Sequence, residues 1–293
     1  MKRRQIVLGG LAITAGSTLG IPVWSRSEAD TLKTEYVRLT VKGLDRPLRV
    51  AQLTDIHWDH GNTVHWPMIE EAITQINKEQ VDLVALTGDF VTTSADPIHE
   101  LAPVLGKIQS KEGIFAVLGN HDNVLVDSNR IISRVLTQAN ITVLENRWTT
   151  VAGLAVAGTG DLWRGPYEPE RIFTSIRGRK PTLLLAHNPD GFWPLKEERI
   201  DIQLSGHTHG GQVRLGSWAV LGLSEPFWPI LSEVVGERRL NKVVPKTLTR
   251  TNSWAGRFRQ GDNQLYVSRG LGRFRRLSIG CPPEVTFFEL EPG

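Results

Sequence analysis

Two stretches decide the fold: Val81-Asp82-Leu83-Val84-Ala85-Leu86-Thr87-Gly88-Asp89 and Ile114-Phe115-Ala116-Val117-Leu118-Gly119-Asn120-His121-Asp122. Each is a short apolar run that breaks at a glycine and continues into polar residues. Such runs, four to eight residues long and rich in branched side chains, read as strands buried on both faces. The same pattern recurs on either side of them. Leu48–Leu53 leads to Asp55-Ile56-His57, Leu183–Ala186 to His187, and Ile200–Leu204 to Gly206-His207-Thr208-His209. Helical patterns lie between these strands. Trp66–Lys78 carries Ile69, Ile73 and Ile76 on one stripe, Asp96-Pro97 opens a helix reaching about Gln109, and Arg130–Ala139 supplies a third. Val37–Val41 reads as a further strand, with Gly43–Pro47 as the turn into Leu48–Leu53; Ile141–Leu144 and Leu154–Ala157 extend the series. Beyond about residue 205 helix signals fade, and short strands such as Gln264–Val267 and Glu284–Leu290 dominate. Alternating strands and helices argue for a layered α/β architecture.

Position matters more than any single residue. Asp55, Asp89, Asn120, His187 and His207 each sit just past the C-terminal end of a strand, the rim at which open α/β sheets bind ligands. Alone, Asp-x-His or Gly-Asp is ordinary turn chemistry. Together, carboxylate, amide and imidazole groups from five segments suit a pair of divalent cations. Two cations ~3.5–4 Å apart can neutralise phosphate oxygens and lower the pKa of a shared water, which is what phosphate-ester hydrolysis requires.

The order Asp55-x-His57, Gly88-Asp89, Gly119-Asn120-His121-Asp122, His187, Gly206-His207-x-His209 resembles the calcineurin-like metallophosphoesterases. Leu204–Val213, Tyr266–Gly272 and Cys281–Val285 resemble a narrower branch of exported or membrane-associated bacterial phosphodiesterases, some linked to lipid substrates such as UDP-diacylglucosamine. The resemblance implies an αββα sandwich with the metal site at the strand ends. It implies that Asp55, His57 and His209 hold one divalent ion (Mn, Fe, Zn or similar) and that Asn120, His187 and His207 hold a second. Asp89 would bridge them, and metal-bound hydroxide would attack in line without a covalent phosphoenzyme. His121 matches the family's catalytic histidine, and Asp122 would orient its imidazole. Gly158-Thr159-Gly160-Asp161 stands where related chains often show Gly-x-Asp-Asp, so no role is carried onto Asp161. The expected activity is phosphodiester hydrolysis on a phospholipid or nucleotide-sugar lipid; a phosphomonoesterase and an inactive metal-stabilised binding protein are the alternatives.

The chain has 293 residues and a formal charge of +3, but residues 1–29 contribute Lys2, Arg3, Arg4 and Arg26 against Glu28 alone. The remainder is balanced at 30 basic and 30 acidic side chains, so the basic pI does not point to nucleic acid. A basic start, an uncharged stretch from Ile6 to Val23 and Ser27-Glu28-Ala29 have the form of a targeting segment. Arg3-Arg4 followed by Gln5-Ile6-Val7-Leu8 resembles a twin-arginine signal, which makes the export machinery an expected partner and the periplasm or outer membrane face the expected location. Residues 30–293 then form the catalytic domain, with 221–262, rich in Trp, Pro and Arg, as a surface insertion. Trp218, Leu221, Leu223, Phe227 and Trp228 suit either peripheral membrane contact or core packing. Arg257, Arg259, Arg269, Arg273, Arg275 and Arg276 suit either a solvated face or a phosphate-binding one. Cys281, the only cysteine, reads as a small buried residue.

Overall fold

The structure, a computed structural model, describes residues 28–177, 180–212, 214–215, 218–219, 251–273 and 278–293. Its elements are β1 (Lys33–Val41), β2 (Leu48–Leu53), α1 (Trp66–Lys78), β3 (Leu83–Leu86), α2 (Ile98–Leu105), β4 (Gly113–Ala116), α3 (Ser128–Gln138), β5 (Thr142–Val143), β6 (Arg147–Val151) and β7 (Leu154–Gly158). There follow α4 (Pro169–Ile176), β8 (Thr182–Leu185), β9 (Ile202–Ser205), β10 (Arg214–Leu215), β11 (Trp218–Ala219), β12 (Gly256–Gln260), β13 (Asn263–Val267) and β14 (Glu284–Pro292). Two six-stranded sheets result, in the orders β1-β14-β2-β3-β4-β5 and β12-β13-β9-β8-β7-β6.

The apolar runs are continuous because both faces of each strand are covered. In β3, Leu83 and Ala85 face the other sheet, where they join Val156, Leu185 and Leu204. Val84 and Leu86 face outward onto Ile69, Ala72, Ile73 and Ile76 of α1 and onto α2 and α3. The second sheet covers its outer face with Ile172, Phe173 and Ile176 of α4 and with Phe192. Four layers follow, helices on sheet on sheet on helix, the expected sandwich. Burying Ile69, Ile73 and Ile76 alone favours folding by roughly 5–9 kcal/mol before entropy is counted, so a charge at Ile76, which is fully buried, would detach α1.

Two expectations need correction, and one pairing was not foreseen. The Gly43–Pro47 turn joins β1 to β2, but β14 lies between them in the sheet, parallel to β1 and antiparallel to β2. The alternation of Val285 and Phe287 outward with Phe288 and Leu290 inward gives β14 two apolar faces, which suits a central position. The helix after Asp96 begins at Ile98 and stops at Leu105, with Pro97 at its N-cap. Pro103 removes one internal N–H there, and the chain leaves the helix at Gly106. The last part of the proposed 221–262 insertion belongs to the second sheet, since β12 pairs antiparallel with β13. As an edge strand it exposes Arg257 and Arg259, and this polar alternation hid it in the sequence.

Residues 221–250, with Leu221, Leu223, Phe227 and Trp228, lie outside the described residues, as do Arg275, Arg276 and residues 1–27. Among the described residues no helix is long and apolar enough to cross a membrane.

Candidate metal centre

The parallel pairing of β2 with β3 persists past the strand ends. Thr87 N–H bonds Leu53 O, Asp55 N–H bonds Gly88 O, and His57 N–H bonds Asp89 O at 2.9 Å. The pairing of β8 with β9 continues likewise, from Ala186 N–H to Leu204 O and from Gly206 N–H to His187 O. Two rims are thereby locked, and buried Gln52 ties them together through Thr87 Oγ1 and Ser205 O, both at 2.9 Å. Gln52 was not among the expected site residues; its signal was a lone amide inside the apolar run Leu48–Leu53.

Asp55, His57, Asp89, His207 and His209 all have φ between 49° and 70°. That left-handed backbone costs a non-glycine residue about 1–2 kcal/mol, and five cases on one rim mark a constrained functional site. Gly88, at φ 92°, needs glycine for the same reason. Gly119 and Gly206 do not; a Cβ on them would run into Asp89 Oδ1 and Asp55 Oδ2 respectively. Their role is close approach of a carboxylate to bare backbone.

All seven expected ligands are brought together. Asp55, His57 and His209 form one group whose ligand atoms lie within 4.8 Å of one another, and Asp89, His187 and His207 form another. Asp89 stands between the groups, its Oδ2 3.3 Å from His57 Nε2 and 3.2 Å from His187 Nε2. Nδ1 of His187 lies 2.8 Å from the Thr87 carbonyl, which can only accept, so Nδ1 carries the hydrogen. Around Nε2 of His187, two acceptor oxygens, Asp89 Oδ2 and Asn120 Oδ1, and the ring nitrogen Nδ1 of His207 crowd at 3.2 Å. One hydrogen cannot serve them all, whereas one cation can. Nε2 atoms of His57 and His207 are buried without a hydrogen-bond partner. The donor set therefore fits divalent cations.

Charge follows the same logic. Burial works against the Asp89 carboxylate, but His187 and His57 overcome it and hold its pKa well below the ordinary value. Burial disfavours a charged His187, yet Asp89 and then Asp55 raise its pKa well above normal. Burial, and next the His187 charge, push His207 down to about 3. Burial, then His57 and Arg273, push His209 well down. Both present the neutral imidazole that a metal requires.

His121 lies beside the same centre, its ring 4.7 Å from that of His57 and its backbone N–H 2.8 Å from Asp89 Oδ1. The expectation for Asp122 is corrected here. His121 Nδ1 bonds the Thr92 carbonyl at 2.6 Å, and Asp122 does not contact the ring. The fully buried Asp122 carboxylate instead accepts backbone N–H groups of Asp89, Phe90 and Val91 at 2.8, 2.9 and 3.3 Å and of Gly119 at 2.9 Å. Burial, and then the Asp89 charge, raise its pKa, while the Gly119 and Val91 N–H groups oppose that rise. A backbone carbonyl leaves no mark in a sequence, which is why Thr92 was not anticipated.

Asp161 gains a local role: its Oδ2 accepts the Trp163 and Arg164 N–H groups and shapes the loop that sets the Trp163 ring edge-on to His207, centroids 4.3 Å apart. The arginine concentration is not one surface. Arg257 and Arg259 are exposed, Arg269 pairs with Glu284 at 2.7 Å, and Arg273 is fully buried. Cys281 is buried, and burial raises its thiol pKa.

A sequence profile of the calcineurin-like phosphoesterases matches residues 48–211, the span that carries every one of these ligands. Phosphodiesterase YaeI of Escherichia coli K12 is 33% identical over 250 residues, which span 83% of this chain and 82% of that protein. The uncharacterized metallophosphoesterase YkuE of Bacillus subtilis 168 is 27% identical over 99% of this chain and 98% of its own length. UDP-2,3-diacylglucosamine pyrophosphatase LpxG of Chlamydia trachomatis is 23% identical over 94% of this chain and 96% of its own. The chain belongs to the calcineurin-like phosphoesterase family and is a metal-dependent hydrolase of phosphate esters.

Proposed function

We propose that the chain is a phosphodiesterase working with two divalent cations. Asp55, His57 and His209 would hold one, Asn120, His187 and His207 the other, and Asp89 would bridge them. The observation that carries this reading is the crowding of two oxygens and a ring nitrogen at 3.2 Å around His187 Nε2, with a second carboxylate–histidine group across Asp89. When bound, such a pair supplies positive charge to the phosphoryl oxygens and lowers the pKa of the attacking water.

The chain's own residues do the rest. The Thr92 carbonyl keeps a hydrogen on Nδ1 of His121, so Nε2 is the nitrogen that exchanges its proton. Burial, against the pull of Asp89, lowers the His121 pKa and leaves the free enzyme's ring neutral. A bound phosphodiester anion favours the imidazolium, which can pass its Nε2 proton to the departing oxygen. Asp122 holds the Asp89–Val91 backbone and Gly119 in register, and so places Asp89 and the Thr92 carbonyl.

The substrate we favour is a phospholipid or a nucleotide-sugar lipid. Leu125 and Val126, 55% and 92% exposed, stand three and four residues after Asp122, and Trp163 is exposed beside His207. An exposed aromatic ring against a candidate metal-site histidine, with exposed apolar residues close by in sequence, suits an amphiphile. Among the relatives, YaeI is named a phosphodiesterase and LpxG a pyrophosphatase of a diacylated sugar nucleotide. An export signal over residues 1–29 would put the enzyme at the outer face of the cytoplasmic membrane. The test is turnover by metal-reconstituted protein of bis(p-nitrophenyl) phosphate, p-nitrophenyl phosphate and a panel of lipid phosphodiesters. Asp89→Asn and His207→Ala should abolish it; wild-type rates in those variants would refute the site, and faster monoester turnover would refute the diester preference.

A further inference from the structure

The turn Gly270-Leu271-Gly272 and the residue after it have no part in the reading above, yet they form the floor of one half of the centre. Gly272 N–H bonds Asp55 O at 2.6 Å, Leu271 N–H bonds Thr54 O at 3.1 Å, and Arg273 N–H bonds Thr63 O at 3.0 Å. The fit is close: a Cβ on Gly270 would meet Asp55 Cβ, and one on Gly272 would meet the Asp55 and Ile56 carbonyls and His57 Cβ. His209, from the loop after β9, reaches the same turn with Nδ1 3.0 Å from Gly272 O.

One side chain holds this turn from below. Arg273 is 1% exposed. Its Nη1 donates to Gly272 O at 2.7 Å, Arg269 O at 2.9 Å and Gly270 O at 3.2 Å, and its Nε donates to Cys281 O at 3.2 Å. Cys281 in turn donates from Sγ to the His209 carbonyl at 3.1 Å. No carboxylate pairs with Arg273 among the described residues, and its Nη2 has no partner. Arg269, four residues earlier, differs: it pairs with Glu284 at 2.7 Å and Glu35 at 2.6 Å. A buried guanidinium without a counter-ion is unfavourable, and an apolar side chain of the same volume would fill the space better if packing were all that mattered. Its Nη1 gathers the carbonyls of Arg269, Gly270 and Gly272 while its Nε holds that of Cys281, which a methionine cannot do.

We propose that Arg273 is a positioning residue for the Asp55–His57–His209 half of the centre. Its guanidinium pins the Gly270–Gly272 turn against Asp55 and His57. It also holds the Gly272 carbonyl where that oxygen keeps the hydrogen on His209 Nδ1, so that Nε2 is the nitrogen offered to the cation. This rests on the two-cation reading of the site. Carbonyl groups that fix a ligand histidine's tautomer commonly govern metal affinity, and their loss weakens it about 10–100-fold.

The experiment is titration of metal-stripped full-length protein with Mn(II) and Zn(II), following stoichiometry and affinity, for wild type, Arg273→Met and Arg273→Lys. Thermal melting and circular dichroism confirm which variants are folded. For Arg273→Met we expect one of two cations to bind roughly 10–100-fold more weakly and the other to bind as in wild type. Arg273→Lys keeps the charge but has no second nitrogen to hold the Cys281 carbonyl together with the turn, and should restore little. Isotope-edited NMR of wild-type protein loaded with Zn(II) should show His209 bound through Nε2 with Nδ1 protonated. That readout needs no variant, and His209 bound through Nδ1 would overturn the proposal. Folded variants that bind both cations with wild-type affinity, or that weaken both equally, would overturn it while leaving the two-cation reading intact. Wild-type protein that takes up no metal would overturn both.

Discussion

Asp122→Asn separates two accounts of the same residue. If Asp122 orients His121, the substitution should change catalysis and leave stability nearly untouched. The structure gives the opposite expectation, because both carboxylate oxygens are occupied by backbone N–H groups: Asp89 and Gly119 on Oδ2, Phe90 and Val91 on Oδ1. An asparagine keeps one oxygen and must turn its NH2 toward two N–H donors. Two hydrogen bonds to a charged acceptor are lost, each worth about 1.5–3 kcal/mol. Burial and the Asp89 charge already raise the pKa of Asp122, which trims the gain from ionising it, so the lower end of that range applies, about 3 kcal/mol in all. With a urea m-value of ~3 kcal/mol/M for a domain of this size, the unfolding midpoint should fall by about 1 M. The assay is urea unfolding of the metal-loaded protein, followed by tryptophan fluorescence, beside a pH–rate profile under conditions where the variant is folded. The pKa assigned to His121 should stay in place, since its ring bonds the Thr92 carbonyl. An unchanged urea midpoint together with a displaced pH–rate profile would refute this reasoning and return Asp122 to the imidazole.

Two further outcomes follow from particular contacts. Gly206→Ala should weaken cation binding at the Asp55–His57–His209 group and lower thermal stability, because its Cβ would meet Asp55 Oδ2 and the Thr54 side chain; wild-type metal content and melting temperature would contradict this. Far from the centre, Asp82 is buried, which by itself would raise its pKa, but the Arg49 N–H, Lys111 and Arg46 outweigh burial and lower it. A carboxylate depressed in the folded state binds fewer protons there, so its stabilisation is complete above the unfolded value of about 4 and is lost as pH falls toward the folded one. Asp82→Asn should therefore cost about 1 kcal/mol at neutral pH, and the gap to wild type should close below about pH 4; a gap that stays constant to pH 3 would count against it.

Much of this protein could be read without coordinates. The apolar runs ending at Leu53, Leu86, Leu185 and Ser205 are short, branched and buried on both faces, so pattern alone locates strands and the ligands beyond them. The stripe of Ile69, Ile73 and Ile76 locates α1 to the residue. Helix α4 and strands β6 and β12 were not legible. The first is only eight residues long, and β6 and β12 are edge strands whose residues are exposed or half-buried but for Val151.

What sequence determined here is the inventory and its order: seven ligand-type residues, His121 and Asp122, distributed over five strand ends. Local patterns carry that information because burial on both faces leaves a periodicity, and a strand end needs a glycine or polar break. Tertiary structure decided the pairings between distant segments. It put β14 between β1 and β2, set Asp89 between His57 and His187, and gave His121 to the Thr92 carbonyl while Asp122 went to a ring of N–H groups. It also turned Arg273 inward under the Gly270–Gly272 turn, though the surrounding residues look like a basic surface. Those outcomes depend on backbone N–H and C=O groups, which are the same in every residue and therefore leave no trace in the order of side chains.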